Sequence, residues 1–331
     1  MNTSAAGDTA PQHATPQTVS PQPAPAQPAP AQAAIPEPAP PQLAAPLIDW
    51  FATNARDLPW RRPGFSAWGT LVSEFMLQQT PVARVVPRLH EWLERWPTPA
   101  ALAESSPGDA VRAWQSLGYP RRALWLHSCA VVITERHGGE VPRAVDDLLA
   151  LPGVGDYTAR AVAAFAFGDR HPVVDTNIRR VIARAVTGDA EPSPPSGRRD
   201  LAAMLEILPH DPAAARAFNA AIMELGAVVC TARAPRCELC PIAGSCAWRA
   251  RGYQGYDGRR KAAQKKYEGS DRQVRGLVLA QLRSLPADET STLSRKHLAG
   301  VWQEPTQLDR AIAGLVADGL AIESPSGLRL P

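Results

Sequence analysis

Between residues 47 and 251 the apolar positions recur every three or four residues, the spacing that lines one face of an α-helix. The clearest runs are LVSEFMLQQT (71 to 80), DLLALPG (147 to 153), YTARAVAAFAFG (157 to 168) and ARAFNAAIMELGAVVC (215 to 230). Proline and glycine punctuate these runs often, and strict strand-like alternation is absent. The pattern predicts an all-α domain over residues 47 to 248. Residues 1 to 46 are almost entirely Pro, Ala, Gln, Thr and Ser, with too little apolar bulk to offset the entropy of ordering. A disordered tail is expected there. Residues 249 to 271 are basic and polar and read as a solvated linker able to touch phosphate. Residues 272 to 331 then show two helical runs, QVRGLVLAQLRS and LDRAIAGLVADG, and a Pro-Ser-Gly turn between two short apolar runs. Together these suggest a small winged-helix-like module.

The chain has 331 residues, enough for two compact domains and a tail, and its 45% apolar content is ordinary for a globular protein. No stretch approaches the roughly 20 apolar residues that span a bilayer, so a membrane role is excluded. The tail lacks the basic start and apolar core of a secretion signal, so export is not expected. A net charge of +3 points only weakly to polyanionic partners. Four of the five cysteines lie between Cys230 and Cys246, and Cys129 stands apart. That clustering suits a metal site in a reducing cytoplasm better than a disulfide framework.

The spacing Cys230-x6-Cys237-x2-Cys240-x5-Cys246 lets four thiolates converge on one centre. Soft ligands in this number select an iron–sulfur cluster or zinc. Zinc sites usually pair two tight Cys-x-x-Cys knuckles and only one is present, so a [4Fe-4S] cluster is preferred over zinc or four unrelated cysteines. Arg233, Arg236 and Arg249 flank the loop as phosphate contacts or as merely solvated cations.

In LPGVGDYTAR (151 to 160), Gly153 and Gly155 allow a tight turn whose N–H groups could seat a DNA phosphate at the mouth of the next helix. An ordinary helical hairpin is the plainer reading. In VVDTNIRR (173 to 180), Asp175 falls at a helix N-terminus, where the dipole favours its anion. It is either a simple cap or a carboxylate that stabilises a cationic transition state. Glu74 sits in an apolar helical run, which would raise its pKa and suit a general acid; a solvent-facing glutamate is the alternative.

These elements, in this order, resemble the helix-hairpin-helix glycosylases that include endonuclease III, and within them the adenine-removing MutY branch. The resemblance covers about Leu47 to Trp248 and is carried by RDLPWR (56 to 61), SEFMLQQT, LGYPRRA, LPGVGDYTA, VVDTNIRR, MELGA and the cysteine loop. It implies a helix-hairpin-helix DNA glycosylase fold and a base excision enzyme for adenine mispaired with 8-oxoguanine or guanine. Its partner is double-stranded DNA, and a monomer associated with the cytoplasmic nucleoid is expected. Endonuclease III carries a nucleophilic lysine where this chain has Tyr157, so the resemblance implies a monofunctional enzyme. Glu74 then protonates N7 of the extruded base, and Asp175 stabilises an oxocarbenium-like sugar until water attacks, with or without a transient covalent bond. Tyr157 and Asn177 would orient these groups. Trp60, Arg61 and Glu224 would line the adenine pocket, Gln79 would wedge into the duplex, and Arg179 would contact DNA.

The chain departs from the pattern in two places. Pro120 stands where many relatives carry a second tyrosine that intercalates near 8-oxoguanine, so either Tyr119 takes over that role or no side chain does. The 60 or so residues after the linker are short for the usual domain that reads 8-oxoguanine, and their winged-helix-like pattern does not suggest one. Rival readings are a glycosylase for thymine, uracil or oxidised pyrimidines, and a DNA-binding regulator.

Overall fold

The computed structural model describes residues 42–256, 258, 266–288 and 290–331. The tail expected to be disordered lies outside the described residues, apart from its last few. Leu43 is buried and Ala44 already opens a helix, so the folded body starts slightly before the compositional boundary. Part of the basic linker likewise falls outside the described residues.

The chain runs through α1 (Ala44–Asn54), a 3-10 turn (Pro59–Arg61), α2 (Ala67–Leu77), α3 (Val82–Arg95), α4 (Pro99–Ala103) and α5 (Pro107–Trp114). It continues with α6 (Arg121–Arg136), α7 (Val145–Leu149), α8 (Asp156–Phe167) and α9 (Thr176–Ile182), which passes into a π turn (Ala183–Thr187). Next come α10 (Gly197–Ile207), α11 (Pro212–Val228) and the short α12 (Ala247–Ala250) that follows the cysteine loop. The C-terminal part holds α13 (Asp271–Arg283), α14 (Arg295–Ala299), α15 (Pro305–Ala317) and an antiparallel hairpin of β1 (Ile322–Ser324) and β2 (Gly327–Arg329).

Local chemistry explains the helix starts. Ser66 caps α2 by accepting from the Gly69 N–H, Asp211 caps α11 by accepting from Ala214, and proline opens α5, α11 and α15. Helix α2 is buried from Trp68 to Met76, so Glu74 has no solvent-facing option. The helical pattern over 71 to 80 overshoots its end. The chain leaves the helix after Leu77, and Gln79 takes a left-handed backbone (φ 55°) that a non-glycine residue adopts only under constraint.

Two apolar cores form. One gathers α2, α3, α5, α6 and α8 around Phe75, Trp92, Trp114 and Leu126; the other gathers α1, α9, α10 and α11 around Leu47, Phe218 and Ile222 and reaches Ile242 in the cysteine loop. Helix α2 packs on α8, and α9 packs on α11, so the catalytic candidates lie along the seam between the cores.

The two helices and hairpin expected at the C-terminus are present, with α14 added between the helices and a bridge from Leu293 to Leu328 extending the hairpin. This module is not tethered loosely. Val274, Val278 and Leu282 of α13 and Ile312 and Leu315 of α15 join the first core, each contributing about 1.5–3 kcal/mol on burial. The guanidinium of Arg112 also donates to the Pro286 carbonyl at 3.0 Å, and Arg283 donates to the Val111 carbonyl at 3.0 Å.

Candidate active site and iron–sulfur loop

Glu74 is buried among apolar neighbours on α2, and burial pushes its carboxyl up to about 7. The nearby Asp175 charge adds to that push, while a hydrogen bond from Tyr157 opposes it. Burial holds the Tyr157 phenol well above its usual value, so this side chain stays a protonated donor. Tyr157 is placed by the hairpin turn at the start of α8. There Gly153 takes a left-handed φ of 77°, and an added Cβ would stand 2.7 Å from Trp125 and 2.9 Å from Phe75. Gly153 is therefore required by packing as well as by backbone conformation. Gly155 has open space around it and begins α8 without a side-chain cap, leaving exposed backbone at the helix mouth.

Asp175 is the N-cap of α9. Its Oδ1 accepts from the Ile178 N–H at 2.7 Å and its Oδ2 from the Asn177 amide at 2.8 Å. Both bonds favour the anion, as does the Arg180 charge, yet burial outweighs them and the carboxyl titrates above its ordinary value. The helix terminus therefore does not set this group alone, as the sequence suggested it might; desolvation dominates.

Arg180 is buried and holds this end of the site together. It donates from Nη2 to Asn177 Oδ1 at 2.8 Å and to the Gly226 carbonyl at 2.6 Å, and from Nε to the Cys230 carbonyl at 2.8 Å. Gly226 lets α11 cross α9 closely, since a Cβ there would meet Asn177 Cβ at 2.8 Å. Neither residue is singled out by sequence pattern. Arg180 looks like any cation in VVDTNIRR until the fold brings Cys230 beside it.

Glu224 is fully enclosed, and its oxygens accept from the Arg56 N–H (3.2 Å), Nε (2.7 Å) and Nη2 (2.7 Å) and from Arg61 Nη2 (2.7 Å). These partners hold its carboxyl down to about 2 against the opposing effect of burial. Glu224, expected to line the adenine pocket, has an enclosed carboxylate that anchors the turn carrying Trp60 and Arg61. Arg61 keeps 20% of its side chain exposed, and the turn lies against α2. Arg179, expected to contact DNA, is paired with Asp200 at 2.8 Å and only 13% exposed, which ties α9 to α10. Gln79, expected to wedge into the duplex, is exposed at the left-handed turn beyond α2.

Cys230, Cys237, Cys240 and Cys246 are all free thiols and line one pocket with Arg184 and Trp248. Four soft thiolates gathered in one pocket fit the donor set of an iron–sulfur cluster. Buried Arg184 staples the loop, donating to the Thr231 carbonyl at 2.7 Å, lying 3.5 Å from Cys230 Sγ and stacking over the Trp248 ring at 4.8 Å. Arg236 and Arg249 are exposed beside it, as is Arg233.

Residues 72–206 match the HhH-GPD superfamily of base excision DNA repair proteins, and residues 230–246 match the iron-sulfur binding domain of endonuclease III. The chain is 52% identical over 282 residues to an adenine DNA glycosylase of Mycolicibacterium smegmatis, covering 85% of this chain and 93% of that protein. It is 41% identical over 213 residues to the human adenine DNA glycosylase, covering 62% of this chain and 39% of the human protein. A solved thermostable thymine-DNA glycosylase superposes with a TM-score of 0.57 at 27% identity, over 63% of this chain and 95% of that one. An endonuclease III–DNA complex superposes with a TM-score of 0.53 at 22% identity, over 63% of this chain and 94% of that one, which supports the fold alone.

Fold, hairpin and thiolate loop thus define a helix-hairpin-helix base excision glycosylase with an iron–sulfur cluster. The chain belongs to the adenine DNA glycosylase family. Its cofactor is a [4Fe-4S] cluster, which Cys230, Cys237, Cys240 and Cys246 would hold and which would brace the loop whose backbone meets Arg180. Purified protein should contain about four irons per chain. Cys129 is buried in α6 with its thiol pushed up to about 12, so Cys129→Ala should leave the iron content unchanged while Cys240→Ser lowers it. One zinc and no iron on metal analysis would refute this.

Proposed function

We propose that this protein removes adenine from mispairs with 8-oxoguanine or guanine by hydrolysis, without cutting the strand. The observation that carries the reading is Glu74, a buried carboxyl held at about 7 beside Tyr157 and Asp175. Adenine leaves poorly unless protonated, and a carboxyl titrating near the working pH is well matched to donate that proton. Extrusion of the base costs a few kcal/mol, which mispairing lowers. Trp60 and Arg61 would wall the extruded adenine, with Glu224 anchoring Arg61, while Gln79 fills the gap left in the duplex. Glu74 delivers its proton to N7 of the base as the glycosidic bond breaks. The Asp175 carboxylate, oriented by Asn177, faces the cationic sugar until water adds. A phenol held protonated is no nucleophile, so Tyr157 supports a monofunctional enzyme. Contacts with phosphate come from the exposed turn at Gly153 and Gly155. No described helix is long and apolar enough to cross a membrane, and we place the enzyme in the cytoplasm on the nucleoid as a monomer.

Base release from A·8-oxoguanine, A·G, T·G and U·G duplexes tests this directly. Free adenine should appear from the first two only, and borohydride should trap little Schiff-base adduct. Release of thymine or uracil, or trapping as abundant as that given by a lysine nucleophile, would overturn it.

A further inference from the structure

Asn219 lies midway along α11 and is completely enclosed, yet the reaction described above gives it no part. Its neighbours in PAAARAFNAAIMELGAV are mostly strong helix formers, and asparagine is not one. A buried carboxamide also costs free energy unless both of its ends are paired. A tertiary contact has to offset both penalties at this position.

That contact is with the segment joining α8 to α9. The Asn219 side-chain oxygen accepts from the Val173 N–H at 3.1 Å, and its side-chain nitrogen donates to the His171 carbonyl at 3.0 Å. One amide thus takes a donor and an acceptor from residues two apart, as an adjoining strand would. The outer part of the same segment is tied elsewhere. Arg170 donates to the carbonyls of Leu208 and Pro209 at 3.0 and 2.7 Å, and Asp169 pairs with Arg143. Asn219 holds the part that adjoins the catalytic aspartate.

The gripped residues lead straight into the site. Asp175 follows Val173 by two residues and caps α9. Val173 is itself buried in a small cluster with Ala161 and Ala164 of α8, against which Tyr157 of α8 and Met223 of α11 also pack. The clamp therefore fixes the approach to Asp175 against the helix that carries Tyr157, the donor to Glu74. Two turns further along α11, Gly226 lies against Asn177, where an added Cβ would stand 2.8 Å from the Asn177 Cβ. One face of α11 thus holds the chain both before and after Asp175.

We propose that Asn219 is a positioning residue for the reaction: by gripping the chain at His171 and Val173, it sets where the Asp175 carboxylate stands relative to Tyr157 and Glu74. The inference rests on the reading of Asp175 as the charge that faces the sugar cation. Asn219 acts through Asp175 because its own amide is enclosed and fully engaged with backbone. A displacement of about 1 Å in a group that acts on a transition state can cost about a hundredfold in rate.

The test uses the full chain with its cluster. Asn219→Leu keeps the volume and removes both bonds. Single-turnover adenine release from an A·G duplex should fall at least about tenfold, while affinity for the same duplex carrying a cleavage-resistant 2′-fluoro adenosine stays within about twofold of wild type. The decisive comparison is a double-mutant cycle with Asp175→Asn. Once the carboxylate is gone its placement no longer matters, so adding Asn219→Leu to Asp175→Asn should cost less than about threefold. A merely structural asparagine would cost the same factor in both backgrounds. Asn219→Asp keeps the side chain's shape and the oxygen that takes the Val173 N–H, and carries the same comparison if Asn219→Leu does not fold; its release should fall between wild type and Asn219→Leu. Wild-type release from the Asn219 variants, an equal loss in both backgrounds, or a loss of affinity with normal chemistry would each overturn the proposal. Full release by Asp175→Asn alone would instead sink the reading of Asp175 on which it rests.

Discussion

Glu74→Gln should lower single-turnover adenine release by at least about a hundredfold while leaving affinity for mispaired DNA near normal. General acid catalysis is typically worth about 10² to 10⁴ in rate, and glutamine keeps the shape of the side chain without an acidic proton. Binding is dominated by phosphate contacts that this change does not touch. The upward shift of Glu74 to about 7 adds two further expectations. Wild-type release should be greatest below that pH and fall as pH rises through it, because only the protonated carboxyl can donate. Stability moves in the same window. A carboxyl whose folded value lies above its ordinary 4.5 makes no penalty below 4.5, and the cost of burying its anion grows as pH rises, levelling off above about 7. Glu74→Gln removes a cost of about 3 kcal/mol at pH 8, and should therefore melt higher than wild type there and little differently near pH 4. A variant that retained near-wild-type release with intact binding would reduce Glu74 to an ordinary helix residue, and the case for adenine as substrate would lose its main chemical support.

Arg180→Met should damage chemistry and cluster together. The guanidinium is buried and satisfies the Asn177 side chain and the carbonyls of Gly226 and Cys230. Methionine fills similar volume and leaves those acceptors without donors, each costing about 1–3 kcal/mol. The expected result is a stability loss of about 3 kcal/mol or more, seen as a lower melting temperature and reduced iron per chain. Adenine release should fall even for the iron-loaded fraction, because Asn177 loses the anchor that aims its amide at Asp175. Arg180→Lys keeps the charge but not the fork, so it should fall between wild type and Arg180→Met. Wild-type melting and iron content in Arg180→Met would show that the three bonds are not what joins the cysteine loop to the catalytic helix.

Much of this protein is readable without coordinates, because some signals are local. Four thiols within a short loop, a capping aspartate ahead of a helical run, a glutamate inside an apolar helix and a glycine-rich turn each depend on neighbours in the chain. The helical class, the family, the cluster cysteines and the candidacy of Glu74 and Asp175 follow from those signals and from the order in which they occur. What the chain does not reveal locally is how each charge is spent. Glu224 and Arg179 are polar residues in plausible places, and only the approach of segments far apart in sequence shows that Arg56 and Arg61 enclose the one and Asp200 occupies the other. Arg180 and Gly226 gain their roles the same way, from a helix crossing that no periodicity encodes. The balance at Asp175 is likewise a tertiary result, since desolvation by the packed seam overrides what its helix terminus favours. The C-terminal module shows the division most plainly. Its helices and hairpin can be anticipated from apolar spacing, but its docking on the first core depends on complementary surfaces that exist only once both parts are folded.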